Sequence, residues 1–221
     1  MFELKKAAEV GKGLPPDGAM ELINRLTRRE LTAEEVYTFP VRACDTLPDR
    51  DNERFTKSCL EDLAKLFVGK TVIFDHAWTA TGQTARIYSA SVEQGEGESH
   101  YLRVECYMLR TAETAPLIDA IDGGILKEVS VGCAVRTATC SICGQGYGGC
   151  DHRKGQEYDG RICVAELSDG TDAYELSFVA VPAQKGSGVV KSAHKNKENE
   201  TERAKMRLRL EKLRFGGLSE C

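Results

Sequence analysis

Short runs in which every second residue is apolar recur along this chain, and that period of two constrains the fold more than any other feature. In YLRVECYML (101–109), Leu102, Val104, Cys106 and Met108 alternate with more polar neighbours. In LKEVSVGCAV (126–135), Val129, Val131, Cys133 and Val135 share one face, which puts Ser130 on the other. EEVYTFPVRA (34–43), TVIFD (71–75), TARIYSASVE (84–93), RICVAEL (161–167) and AYELSFVAVP (173–182) read as further strands, with Pro40 marking an edge or a bulge. Within this region helical spacing appears in TKSCLEDLAKLFV (56–68), stopped by Gly69, and in TAPLIDAI before Gly123 and Gly124. Many short strands with few helices predict an α+β, mostly β, barrel-like domain.

With 41% hydrophobic residues in 221, the chain can bury one sizeable core, and 7% aromatics make that core mainly aliphatic. The pattern divides it into an N-terminal segment (1–30) containing the turn signal GLPPDG, a domain (31–191) interrupted by a Cys- and Gly-rich insertion (133–163), and a tail (192–221). In the tail, Met206, Leu210 and Leu213 are spaced for a short amphipathic helix. No run approaches the roughly 18 apolar residues of a membrane span, and MFELKKAAEVGKG lacks the apolar stretch of a signal peptide. The expectation is a cytosolic protein with no membrane partner. Net charge is −4, but the stretch from Lys191 onward holds nine Lys or Arg against five Asp or Glu, leaving the rest near −8. An acidic body is a poor nucleic-acid platform, because phosphate binding wants clustered positive charge. The basic tail is suited to an acidic partner or to simple solvation.

Nine cysteines are many for a reducing compartment. Cys44, Cys59 and Cys106 are isolated, and the last two sit in apolar patterns as small core residues. Cys133, Cys140, Cys143, Cys150 and Cys163 crowd together, which points to metal rather than disulfides. Cys140-Ser-Ile-Cys143 can grip one side of a tetrahedral ion, and Cys150-Asp-His152 can complete it, with Cys133 and Cys163 as substitutes for His152. Four protein ligands leave no open position, so the expected ion is a structural Zn2+ that folds an insertion too small for its own core.

Three further segments carry chemistry. VIFDHAW places His76 just past a strand, GGILKEVSVGCAV places Ser130 within one, and DAYELSFVAVPAQKGSGVV places Glu175 in a strand that ends in Val-Pro-Ala. In order and spacing they resemble the prohead proteases of tailed phages, which share a fold with the herpesvirus capsid-maturation protease. The middle motif reads Lys127-Glu128-Val129-Ser130-Val131-Gly132. The late one reads Glu175-Leu176-Ser177-Phe178-Val179-Ala180-Val181-Pro182-Ala183. The likeness spans about residues 34–191. The Cys-rich insertion departs from simpler members, in which the Ser and Glu strands are joined more directly.

The resemblance implies a serine endopeptidase that cuts scaffold and major capsid precursor, and often itself, inside an assembling prohead in the host cytoplasm. Ser130 would be the nucleophile and His76 the base that takes its proton. A third group must fix the imidazole tautomer. In the herpesvirus relatives a second His does so, but His100, His152 and His194 do not match that position, so Glu175 is the candidate, with Asp75 and Asp172 as rivals. The oxyanion needs directed donors, for which Gly132 and Arg136 are candidates. Catalysis of this kind needs no cofactor. The herpesvirus relatives are regulated by dimerisation, so a homodimer is among the expected partners. Two other readings stay open: a non-enzymatic zinc-bearing interaction module of capsid assembly, and a nucleic-acid-binding zinc protein.

Overall fold

Thr56 opens the main helix because its hydroxyl accepts the Cys59 N–H at 3.2 Å. The computed structural model describes residues 13–191; the helix expected around Met206, Leu210 and Leu213, and His194, lie outside them. The chain divides into two compact units, Met1–Val190 and Lys191–Cys221. The first is mixed α/β and mostly strand. Its helices are α1 (Ala19–Asn24), α2 (Lys57–Phe67) and α3 (Ala115–Asp122). Its strands are β1 (Val36–Asp45), β2 (Glu53–Phe55), β3 (Thr71–Phe74), β4 (Ala85–Gln94), β5 (His100–Leu109), β6 (Val129–Cys140), β7 (Glu157–Tyr158), β8 (Arg161–Ile162), β9 (Ala165–Phe178) and β10 (Gly188–Val189).

Eight strands form one sheet in the order β10-β1-β5-β4-β3-β9-β2, with β6 paired to β9 on its other side, and β7 and β8 form a separate hairpin. The expected barrel does not close among the described residues. From β9 the sheet continues to β6, but β6 meets β10 only through a bridge from Glu128 to Gly188. Beyond that bridge no ladder joins β6 to β1, so a seam opens between them. Val131, Cys133 and Val135 are therefore only partly buried although they pack against the core.

Pro40 sits in the middle of β1 opposite Glu105. Its carbonyl accepts from Val190 N–H at 3.0 Å, on the side where β10 covers only two residues. Backbone N–H and C=O of one strand residue point the same way, so the missing donor costs no bond with β5. Residues 13–30 belong to this unit. Gly13 C=O accepts from Thr38 N–H at 2.9 Å, and Ile23 packs with Leu31, Val36, Tyr88 and Tyr107.

The segment read as two strands, 161–167 and 173–182, is built differently. Arg161–Ile162 turns back on β7, and β9 then runs unbroken for 14 residues through Ser168-Asp169-Gly170-Thr171-Asp172. That stretch looks like a turn in sequence, but the Asp-Gly pair serves helix packing. Asp169 takes a left-handed φ of 56°, and a Cβ on Gly170 would stand 3.1 Å from the Asp62 Cβ and 3.3 Å from Leu63. The glycine lets α2 lie directly on β9, and two register shifts against β6 absorb the irregularity. Leu63 is fully buried at this junction, so Leu63→Ala should cost about 3 kcal/mol, read as a lowered urea midpoint with an unchanged m-value.

Candidate active site and metal centre

The backbone first aims His76. β3 runs parallel to β9, with Phe74 beside Phe178, and ends in a tight turn. Asp75 and His76 both adopt left-handed φ values, 49° and 54°. Ala77 N–H donates to Phe74 C=O at 2.9 Å and closes the turn. Non-glycine residues held this way cost roughly 1–3 kcal/mol each. The turn is held from outside: Asp75 N–H donates to Phe178 C=O at 2.9 Å and His76 N–H to Ser177 Oγ at 3.1 Å. The result folds the imidazole back over β9.

His76 Nδ1 lies 2.8 Å from Glu175 Oε1. The carboxylate side chain is 3% exposed and the imidazole 44%, so the pair is anchored at one end and open at the other. The second carboxylate oxygen, Oε2, accepts from Ser177 Oγ at 2.6 Å. With Glu175 as a carboxylate, which can only accept, Nδ1 carries the proton and Nε2 presents a lone pair. Ser177 is fully buried and braces both members of the pair. It stands two residues from Glu175 on the same strand, and this i, i+2 spacing was the available sequence signal for its role.

β6 brings Ser130 to the same face. In the antiparallel register Ser130 lies opposite Ser177, and Gly132 opposite Glu175. Directly opposed side chains stand with Cβ atoms roughly 5 Å apart. Ser130 therefore shares a surface with His76, Glu175 and Ser177. Gly132, expected to belong to the oxyanion turn, also makes room for the neighbouring strand: a Cβ at this position would drive into the Glu175 carboxylate. Gly132→Ala should cost about 2 kcal/mol in stability and should displace the carboxylate. The check is a nitrogen-resolved NMR spectrum, in which the hydrogen-bonded imidazole Nδ1–H signal of His76 should disappear.

The rivals fall elsewhere. Asp172 accepts from Lys70 Nζ at 3.3 Å and from Ala173 N–H. Asp75 occupies the turn with its side chain exposed. Arg136 is exposed and six residues along the same strand from Ser130, so about 20 Å separates their Cα atoms. That is beyond the reach of a guanidinium to the Ser130 hydroxyl. His100 sits at the start of β5, paired with Gln94.

The cysteines assemble separately. Cys140 ends β6, and the chain turns at once, with Gly144 N–H donating to Cys140 C=O at 2.8 Å and Gly144 at a left-handed φ of 74°. This brings donor atoms of Cys140, Cys143, Cys150 and His152 within 4.8 Å of one another. His152 Nδ1 is buried without a hydrogen-bond partner, and Tyr158 from the β7–β8 hairpin packs edge-on at 4.6 Å between ring centroids. An orphaned imidazole nitrogen beside three thiols is the donor set a tetrahedral ion requires, so the residues fit a metal ion such as zinc. Burial opposes the Cys140 thiolate, but the N–H groups of Cys143 and Ile142 outweigh it and bring the thiol to about 6. Cys163 Sγ lies 3.7 Å from Cys140 Sγ, which leaves it in reach as a substitute donor. Cys133 packs against the core instead, where burial and then Glu175 push its thiol to about 11.

No helix among the described residues is long and apolar enough to cross a membrane. Comparison of the chain with family models, with curated proteins and with solved structures found no match.

Proposed function

We propose that this chain is a serine endopeptidase with Ser130 as nucleophile, His76 as general base and Glu175 as the group that orients and charges the imidazole. The observation that carries the reading is the 2.8 Å contact between His76 Nδ1 and a buried Glu175, on the face that Ser130 shares. In the reaction, the Ser130 hydroxyl proton passes to His76 Nε2 as Oγ attacks the scissile carbonyl. The imidazolium, balanced by Glu175, then returns the proton to the leaving amine, and a water activated by the same base releases the acyl group. Both oxygens of Glu175 are engaged, so the base is held before substrate arrives, which lowers the cost of organising the transition state.

The ordered motifs further support a prohead protease with a fold of the herpesvirus type, in which the ring of strands returns toward β1 at the Glu128–Gly188 bridge. On this reading the substrates are scaffold and capsid precursors within the assembling prohead, and the zinc-bearing insertion is structural. A second reading, an interaction module without catalysis, is favoured by the Cys140, Cys143, Cys150 and His152 cluster. Incubation of the purified protein with scaffold and capsid precursor, followed by intact mass, separates the two. The peptidase reading expects cuts by the wild type and none by Ser130→Ala. Identical masses from both proteins would leave the interaction module.

A further inference from the structure

The seam between β6 and β1 is a cleft of about 310 Å3 that has Ser130 on its wall. Its floor is apolar, with Val131 and Val135 from the inward face of β6. Its mouth carries three carboxylates from one loop and the start of β2: Asp49, Asp51 and Glu53. Their charge is only partly met. Lys154 Nζ lies 2.5 Å from Glu53, while neither Asp49 nor Asp51 has an ion pair among the described residues. Burial raises the Asp49 carboxyl above its usual range, as expected for an acid set beside an apolar wall without a cation. Asp49 Oδ1 also accepts from the Asp51 and Glu53 N–H groups at 2.9 and 2.8 Å, which fixes the loop that presents the three.

A second observation points to a ligand in the same place. Ser187, which is 5% exposed and lines the cleft, has a buried hydroxyl with no hydrogen-bond partner. A buried hydroxyl left unpaired costs free energy, and a polar group entering the cleft would satisfy it.

We infer that the cleft is a substrate subsite for the side chain of a lysine or arginine close to the scissile bond. The inference rests on the peptidase reading of Ser130. A long basic residue matches the site in both parts: its methylene stem lies along Val131 and Val135, and its charged head reaches the acidic mouth. An acidic residue would meet like charge there and be rejected.

The test uses the full-length protein and a peptide pool that retains its lysines and arginines, made by cleaving a proteome after glutamate. Products formed by the wild type and absent with Ser130→Ala are sequenced by mass spectrometry. Lys or Arg should be enriched at one fixed position within three residues of the cut. Asp51 is exposed and makes no ion pair among the described residues, so Asp51→Lys should fold normally. It should lower cleavage of a lysine-bearing peptide about tenfold and raise that of its glutamate counterpart. Cleavage by the wild type with no charge preference would overturn the subsite and leave the peptidase standing. Where nothing is cut, binding of the same fluorescent peptide pair to the Ser130→Ala protein decides. Lysine-dependent binding lost in Asp51→Lys would keep the cleft as a basic-peptide site while the peptidase reading falls. Equal binding of both peptides would end both.

Discussion

Ser130→Ala and His76→Ala will each lower the rate of precursor cleavage at least about a thousandfold, and Glu175→Gln will do so by a similar factor. On the proposed mechanism the three act on one proton. Removing Ser130 would remove the nucleophile, removing His76 would leave the hydroxyl its proton, and removing Glu175 would take from the imidazole both its tautomer lock and its counter-charge. The losses should therefore not add: the triple variant should be no slower than Ser130→Ala alone. Additive losses would mean that the three residues do not work as one unit. The Glu175 variant carries the sharpest information. A glutamine side chain is nearly the same size and can keep a hydrogen bond to Ser177, so thermal unfolding should change little while cleavage collapses. An active Glu175→Gln protein would show that the buried 2.8 Å pair is a structural brace.

Purified protein should carry about one zinc ion per chain, measured by native mass spectrometry, and Cys143→Ser or Cys150→Ser should carry none. The insertion from Cys140 to Cys163 has little to bury. Its one regular element is a hairpin of two-residue strands, and Ile162 within it is 50% exposed. Bonds to a bound ion would then supply what a core does, so removing it should bring amide exchange in this segment to that of an unfolded chain. The ladders of β1, β4 and β5 should keep their protection, because their core is built from Phe39, Val41, Ile87, Leu102 and Val104. Cobalt substitution resolves the fourth ligand: His152→Ala should change the visible spectrum of the Co2+ protein, and Cys163→Ser should leave it unchanged. The reverse result would make Cys163 the ligand in place of His152.

How much of this was legible in advance depended on whether a property is local. The β5 alternation, the α2 stripe and the inward face of β6 follow from periods of 2 and 3.6 residues, and they appear where those periods put them. The cysteine spacing was equally local, since a C-x-x-C turn needs only its own backbone and a following glycine. The order of His76, Ser130 and Glu175 in the chain suggested a shared site but could not assemble one. β3 and β6 lie on opposite sides of β9, and only that arrangement brings the turn residue His76 onto Glu175 and sets Ser130 opposite Ser177 on the same strand. The strand expected to break between 167 and 173 runs on as β9, because the helix that needs Gly170 there is far away in sequence. The open seam was invisible for a related reason. Whether a twisted sheet closes depends on how β6 and β1 diverge after a single bridge, which no residue encodes alone. Sequence by itself determined the alternating strand β5, the stripe of α2 and the cysteine spacing, because each is settled by neighbours a few residues apart. Tertiary structure decided the partner of His76, the space that Gly132 must leave for Glu175 and the existence of the cleft, because each depends on atoms that only the packing of distant strands brings together.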